Sequence, residues 1–233
     1  MINEIVIYKE NPVDERGRLK KKELDISPIE AKKNYYDTAD IKYFTMPEIK
    51  TLTAGAENLF YKLIFLVLYE TGARVSESIN IKFGDIEPDT LRVKVLTLKQ
   101  RRKGQIYRYL KISDKLMSLL LQHRLKNNFS NEDYIFTNKS LKKRITIQGI
   151  NFIVKKEVSR LLGNDYMKKA HPHTFRHSRA IHLLDSGMNI MLLKNFLGHS
   201  NISNTLIYLK YSNKDMAEAV DRANTAYLEK QSI

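Results

Sequence analysis

The chain has 233 residues, enough for one large domain, or a domain with a substantial arm, and for a core that needs neither disulfide nor metal. It contains no cysteine, which excludes disulfide frameworks, thiolate zinc sites and cysteine nucleophiles. With 40 Lys and Arg against 26 Asp and Glu, a formal charge of +14 and a pI near 9.7, it is expected to act on or bind a polyanion.

In chain order, residues 1–44 read as an arm or linker. Ile5 to Ile7 can form a short strand, and Pro12, Gly17 and the run Lys20 to Lys22 interrupt any regular pattern beyond it. The first residues lack the basic start and long apolar core of a signal peptide. The longest apolar run, near Leu63 to Tyr69, is far short of a membrane span, so a cytoplasmic protein with no membrane partner is expected. From Met46 the pattern turns helical. Pro47 suits the first turn of a helix through Ile49 and Leu52. Leu59, Leu63, Ile64, Leu66 and Val67 mark an apolar helix stopped at Thr71-Gly72, and Arg74 precedes a short helix through Ile79 and Ile81.

Between Asp85 and Ile112 the period changes to two. Leu91, Val93 and Val95 lead to a basic turn at Lys99 to Gly104, and Ile106, Arg108, Leu110 and Ile112 carry the return strand. Ser113 caps a helix through His123, Asp133 to Thr137 is extended, and Thr146 to Leu162 is a helix with Ile150, Ile153, Val154 and Val158 on one side. Three short helices come next, at about Thr174–Ser186, Ile190–Leu197 and Asn204–Tyr211. The first two are stopped by Gly187 and Gly198, and a last amphipathic helix covers roughly Lys214–Leu228. The expected fold is mainly α with a small antiparallel β-sheet, divided as arm 1–44, catalytic domain 45–213 and helical tail 214–233.

Charge clusters along the chain. Lys94, Lys99, Arg101, Arg102, Lys103, Arg108 and Lys111 stand without an acid among them, as do Lys139, Lys142, Lys143 and Arg144. Two such patches favour nucleic acid over an ordinary solvated face, and Lys94, Arg101, Arg102, Lys103, Lys142, Lys143 and Arg144 are the expected nucleic-acid-binding residues. The chemistry gathers in 171–211. His173 and Arg176 share a helix face, His199 comes after a glycine-stopped helix, and Tyr208 is close behind. A phenol of pKa near 10 needs roughly 4 kcal/mol to ionise at pH 7, so a tyrosine nucleophile requires nearby cations or a base. Tyr211, one turn on, is a competing nucleophile, and His177 and His182 read as packing or hydrogen-bonding residues. His171, His173 and His177 also invite a metal reading, but no acidic third ligand is close in sequence and the dense cations would repel a metal.

Four separated pieces together resemble the tyrosine recombinase (phage integrase) family, most nearly its Xer-like branch. They are Glu70-Thr-Gly-Ala-Arg74-Val-Ser-Glu77, Leu96-Thr-Leu-Lys99, His173-Thr-Phe-Arg176-His177, and Leu197-Gly-His199-Ser with Tyr208 nine residues after the histidine. The resemblance covers about residues 45–215, and its last spacing favours Tyr208 over Tyr211. It implies the integrase catalytic-domain fold and a site-specific recombinase needing no cofactor, metal or nucleotide. In that scheme Tyr208 attacks a phosphate of double-stranded DNA, giving a 3′-phosphotyrosyl link and a free 5′-hydroxyl. Arg74 and Arg176 clamp the non-bridging oxygens. Lys99, or Lys103 in another register of the turn, protonates the leaving oxygen. His173 assists proton transfer, and His199 bonds the phosphate. Glu77 orients the site or is an ordinary acid at a helix start; both readings stand. Assembly as a homo-tetramer on DNA is also implied. The family's usual N-terminal helical domain has no counterpart in residues 1–44. A type IB topoisomerase sharing the tyrosine chemistry, or a non-catalytic helix-turn-helix-like regulator, are the alternative functions.

Overall fold

A computed structural model describes residues 41–97, 106–138 and 143–212. Lys99, Arg101, Arg102, Lys103 and Lys142 lie outside the described residues, as do Lys139, most of the expected arm and the tail at 214–233. The described part is mainly helical with small antiparallel sheets.

Helix α1 (Met46–Gly55) starts at a capping box in which Thr45 and Glu48 satisfy each other's backbone N–H. Helix α2 (Leu59–Thr71) is the spine. Leu63 through Tyr69 and Thr71 are all buried, and Gly72 ends the helix at φ +54°. Helix α3 (Val75–Ser78) is a single turn, shorter than the run through Ile81 that sequence pattern predicts; Ile81 instead accepts from Ile135 N–H across a loop pairing. Next comes a three-stranded antiparallel sheet in the order β1 (Ile86–Glu87), β2 (Arg92–Leu96), β3 (Tyr107–Lys111). In its register Val93 faces Leu110 and Val95 faces Arg108.

Helix α4 (Asp114–Asn127) is capped by Ser113, whose N–H and hydroxyl both donate to Glu70 at 2.7 and 2.8 Å, tying its start to the end of α2. A two-stranded pair, β4 (Thr137–Asn138) and β5 (Lys143–Arg144), precedes α5 (Ile147–Leu162), capped by Thr146 as its sequence predicts. Helix α6 (Pro172–Asp185) packs on α2 through Phe175, stacked on Phe65 at 5.4 Å between ring centres. Helix α7 (Ile190–Leu197) ends at Gly198, φ +67°. The last predicted helix of the motif region divides into α8 (Ser203–Leu206) and a 3₁₀ segment, Ile207–Tyr211.

Ile41 to Phe44, which sequence places at the end of the arm, are packed onto this domain. Phe44 is fully buried against Phe175 at 5.2 Å, and its N–H donates to Ser178 Oγ. An apolar residue placed just ahead of a helix cap finds a core there, and polarity averaged over a longer segment hides it.

Candidate active site

Three stops in the chain bring the site together. Gly72 ends α2 and releases Arg74, Gly198 ends α7 and releases His199, and Pro172 opens α6 so that Arg176 points back under both. Arg176 is 1% exposed, a placement that a charged group tolerates only when its N–H donors are met. Nη1 donates to Gly72 O at 2.6 Å and Nη2 to Leu197 O at 2.8 Å, so it grips the ends of α2 and α7 together. A guanidinium has five donors, and these two bonds leave others for an anion. Burial first, then Arg74, lowers its pKa to about 10, which keeps it charged at neutral pH.

Arg74 donates through Nη1 to Glu77 Oε1 at 3.0 Å. Glu77 Oε2 accepts from Arg74 N–H and from Arg108 Nη2 at 2.8 Å. Glu77 thus caps α3 and bonds two guanidinium groups. Burial would raise this carboxyl, but Arg108 and Arg74 outweigh that and hold it below the usual carboxylate range. Arg108, read from sequence as part of an outward basic patch, is a buried member of the cluster and not an uncompensated surface cation. The signal for it was the phase of the return strand. Register partners share a sheet face, and Arg108 alternates with Leu110 opposite buried Val95 and Val93.

Tyr208 is 1% exposed, and its hydroxyl lies 3.0 Å from His177 Nδ1. Burial raises the phenol's pKa, while Arg176, which also hydrogen-bonds it, and the charge of Arg74 lower it. The rival Tyr211 accepts from Ile41 N–H at 2.8 Å. His173 is exposed at the start of α6 and packs edge-on to His177, 4.5 Å between ring centres. His177 is therefore the imidazole that touches the phenol, in keeping with its reading as a hydrogen-bonding residue. His199 shares a hydrogen bond between Nδ1 and Thr205 Oγ1 at 2.9 Å. Burial first, then cations led by Arg176, lowers its pKa to about 3. Burial, His173 and Arg176 do the same to His177, so both rings are neutral at pH 7.

Of the expected DNA-binding residues, Lys143 and Arg144 are exposed on β5. Arg144 bonds Asn80 Oδ1 and lies over the Tyr134 ring. Lys94 on β2 is half-buried with Nζ 4.2 Å from the centre of the Tyr107 ring. A cavity of about 760 Å³ among Phe60, His123, Lys126 and Ile153 shares no residue with the arginine cluster. Chemically, the cluster offers three guanidiniums against one carboxylate, neutral imidazoles and a phenol, a set suited to an oxyanion under nucleophilic attack.

Comparison with known proteins places the sequence and the fold in one family. The model of the phage integrase family matches residues 42–215. Tyrosine recombinase XerA of Pyrococcus horikoshii is 34% identical over 184 residues, which cover 78% of this chain and 61% of that protein. The chain spans about half to two thirds of the length of the curated relatives it matches. Among solved structures, XerH site-specific recombinase bound to palindromic difH substrate superposes with a TM-score of 0.67 at 18% identity, over 89% of this chain and 60% of that one. The catalytic domain of bacteriophage HP1 integrase gives 0.55 at 23% identity, over 78% of this chain and 95% of that one. Four motifs in order, three of them meeting around the arginine cluster within the described residues, and the match across most of the sequence have one outcome: the chain belongs to the phage integrase family, with an Xer-like catalytic domain.

Proposed function

We propose that the chain is a site-specific DNA recombinase that cuts and rejoins strands through Tyr208. The observation that carries this is the buried Tyr208 phenol beside Arg176, within the field of Arg74, where Arg176 joins the ends of α2 and α7. Phenolic oxygen attacks a scissile phosphorus, the O–P bond to the 5′-oxygen breaks, and a 3′-phosphotyrosyl link forms. Arg74 and Arg176 meet the non-bridging oxygens, whose charge grows in the transition state. Neutral His199, hydrogen-bonded to the Thr205 hydroxyl at Nδ1, offers Nε2–H to the same phosphate in the tautomer that accepts from Thr205. Lys99 protonates the leaving oxygen, and His173 assists the tyrosine's proton transfer. The phosphotyrosyl bond keeps the energy of the bond it replaces, so a 5′-hydroxyl from another strand reverses the attack. DNA is the partner, as it is for XerH in its difH complex. A tetramer on DNA, a domain of 45–213 flanked by arm and tail, and a cytoplasmic location complete the reading.

In the resting arrangement the hydroxyl is enclosed and bonded to His177, so attack requires Tyr208 to leave that bond. A nicked suicide duplex run on a denaturing gel tests the assignment. Parent protein is expected to form a covalent adduct, and Tyr208→Phe to bind DNA without forming one. Arg74→Ala and Arg176→Ala should each slow adduct formation by about 10²–10³. Adduct persisting in Tyr208→Phe but lost in Tyr211→Phe would overturn the choice of nucleophile. Relaxation of supercoils without strand exchange would move the chain to the topoisomerase class.

A further inference from the structure

Arg108 touches both arms of the proposed phosphate clamp without being one of them. Nη2 bonds Glu77 Oε2 at 2.8 Å, and the other Glu77 oxygen holds Arg74. Nη1 donates to Leu197 O at 2.8 Å, the same carbonyl that Arg176 reaches at 2.8 Å. A carbonyl has two lone pairs, so this pair of guanidiniums uses Leu197 O fully and sets the turn that carries His199.

A second observation is independent of those bonds. Gly198 sits at φ +67°, and a Cβ added there would overlap the Arg108 guanidinium, standing 2.7 Å from Cζ. The glycine between Leu197 and His199 thus serves two ends. It ends α7 in a left-handed turn, and it leaves room for a guanidinium laid against the backbone.

Stability does not account for this arrangement. Desolvating an ion pair commonly offsets its Coulomb gain, and Arg108 Nε is buried with no hydrogen-bond partner among the described residues. Burial lowers the Arg108 pKa, and Glu77 only partly restores it. What the side chain does supply is a division of charge. With Arg108 present, Glu77 gives Arg74 one oxygen at the side chain; with Arg108 gone, both oxygens turn to Arg74 and draw it away from a phosphate. The geometry points to Arg108 as the positioning residue of the phosphate clamp, keeping Arg74 available through Glu77 and seating Arg176 and the His199 turn through Leu197 O. The inference rests on the reading of Tyr208 as nucleophile and extends it. It also gives the strand that comes after Lys99 a fixed attachment to the arginine pair.

The test compares adduct formation on two suicide duplexes, one with an ordinary scissile phosphodiester and one with a methylphosphonate there. The methylphosphonate lacks the oxygen charge that the clamp neutralises, so a fault in the clamp matters less on it. Arg108→Gln is expected to slow adduct formation on the phosphodiester by about 10²-fold and on the methylphosphonate at least about tenfold less. DNA affinity should stay within about threefold, since a buried group releases no counterions. Arg108→Lys should recover little, because one ammonium cannot serve Glu77 and Leu197 O in fork geometry. If Arg108→Gln fails to fold, Gly198→Ala displaces the guanidinium instead and should show the same difference between substrates. Equal losses on both duplexes, or full rate in Arg108→Gln or Arg108→Lys, overturn the assignment. Absence of any adduct from the parent, or adduct in Tyr208→Phe, would bring down the nucleophile reading itself and so is told apart from failure of Arg108 alone.

Discussion

Two neutral imidazoles sit within a group of guanidiniums, and their neutrality has a consequence for acid stability. His177 and His199 have pKa values lowered from the ordinary 6.5 to about 3, and His182, against the Tyr69 hydroxyl, is lowered as well. In each case the folded chain binds a proton less readily than the unfolded one. Their stabilisation is therefore complete above about pH 6.5 and is lost as the pH falls from there toward 3. For His177, the best buried of them, the loss between pH 7 and pH 5 is up to about 2 kcal/mol. Carboxylates contribute little in that window, since Glu77 would begin to release its share only below the ordinary carboxylate value. Thermal unfolding should thus show a lower midpoint at pH 5 than at pH 7, and His177→Gln should shrink the difference. An unchanged difference in that variant would mean the ring is not held neutral by the fold. At this scale the sequence was legible where a local stop or start sets geometry, as for Arg176 on the helix opened by Pro172 and His199 after Gly198; their chemical roles are proposals. It was not legible for Arg108 or His177. Their partners, Glu77 and Tyr208, lie 31 residues away in each case, and only the sheet register and the fold of 199–208 bring them together.

Helix α6 carries the site because its inner face is fixed before its polar groups are used. Phe175 stacks on Phe65 of α2 and meets Phe44 ahead of α1, while Ser178 Oγ accepts from Phe44 N–H and donates to Thr174 O. Arg176, adjacent to Phe175, inherits that placement. Phe175→Ala should cost about 3–5 kcal/mol, the usual penalty for emptying a buried aromatic site, and Phe175→Leu distinctly less. Denaturant unfolding measures both, and a loss below about 1 kcal/mol for the alanine variant would show that the helix is held chiefly by its polar bonds. The helical period of α5 and the alternation in β2 made these elements legible, since each buries one face, and α2, enclosed on all sides from Leu63 to Tyr69, was legible from its continuous apolar run and its glycine stop. The run from 203 to 211 was not, because Ile207 to Tyr211 tightens into 3₁₀ geometry where Tyr208 turns inward. Tertiary packing of that ring decides the local winding, and no periodicity records it.

For the molecule as a whole, the charge of +14 matters through where it is exposed, which composition does not reveal. Arg108 belongs to the most basic run of the sequence, yet its charge is spent inside against Glu77. Lys143, on β5, stands in solvent. If double-stranded DNA is the partner, phosphates condense counterions, and each cation that replaces one adds about −0.9 to the slope of log affinity against log salt. Lys143→Ala should therefore make the slope shallower by about 1 and weaken binding alike on all sequences. Arg108→Gln should leave the slope unchanged while slowing the chemistry. Fluorescence anisotropy of a labelled duplex between about 50 and 200 mM salt reads both effects. A shallower slope in Arg108→Gln would place that guanidinium on the DNA rather than beneath the clamp. An unaltered slope in Lys143→Ala would instead remove Lys143 from the DNA-binding face and leave Lys99 to Lys103 of the sequence as the candidates for the backbone contacts.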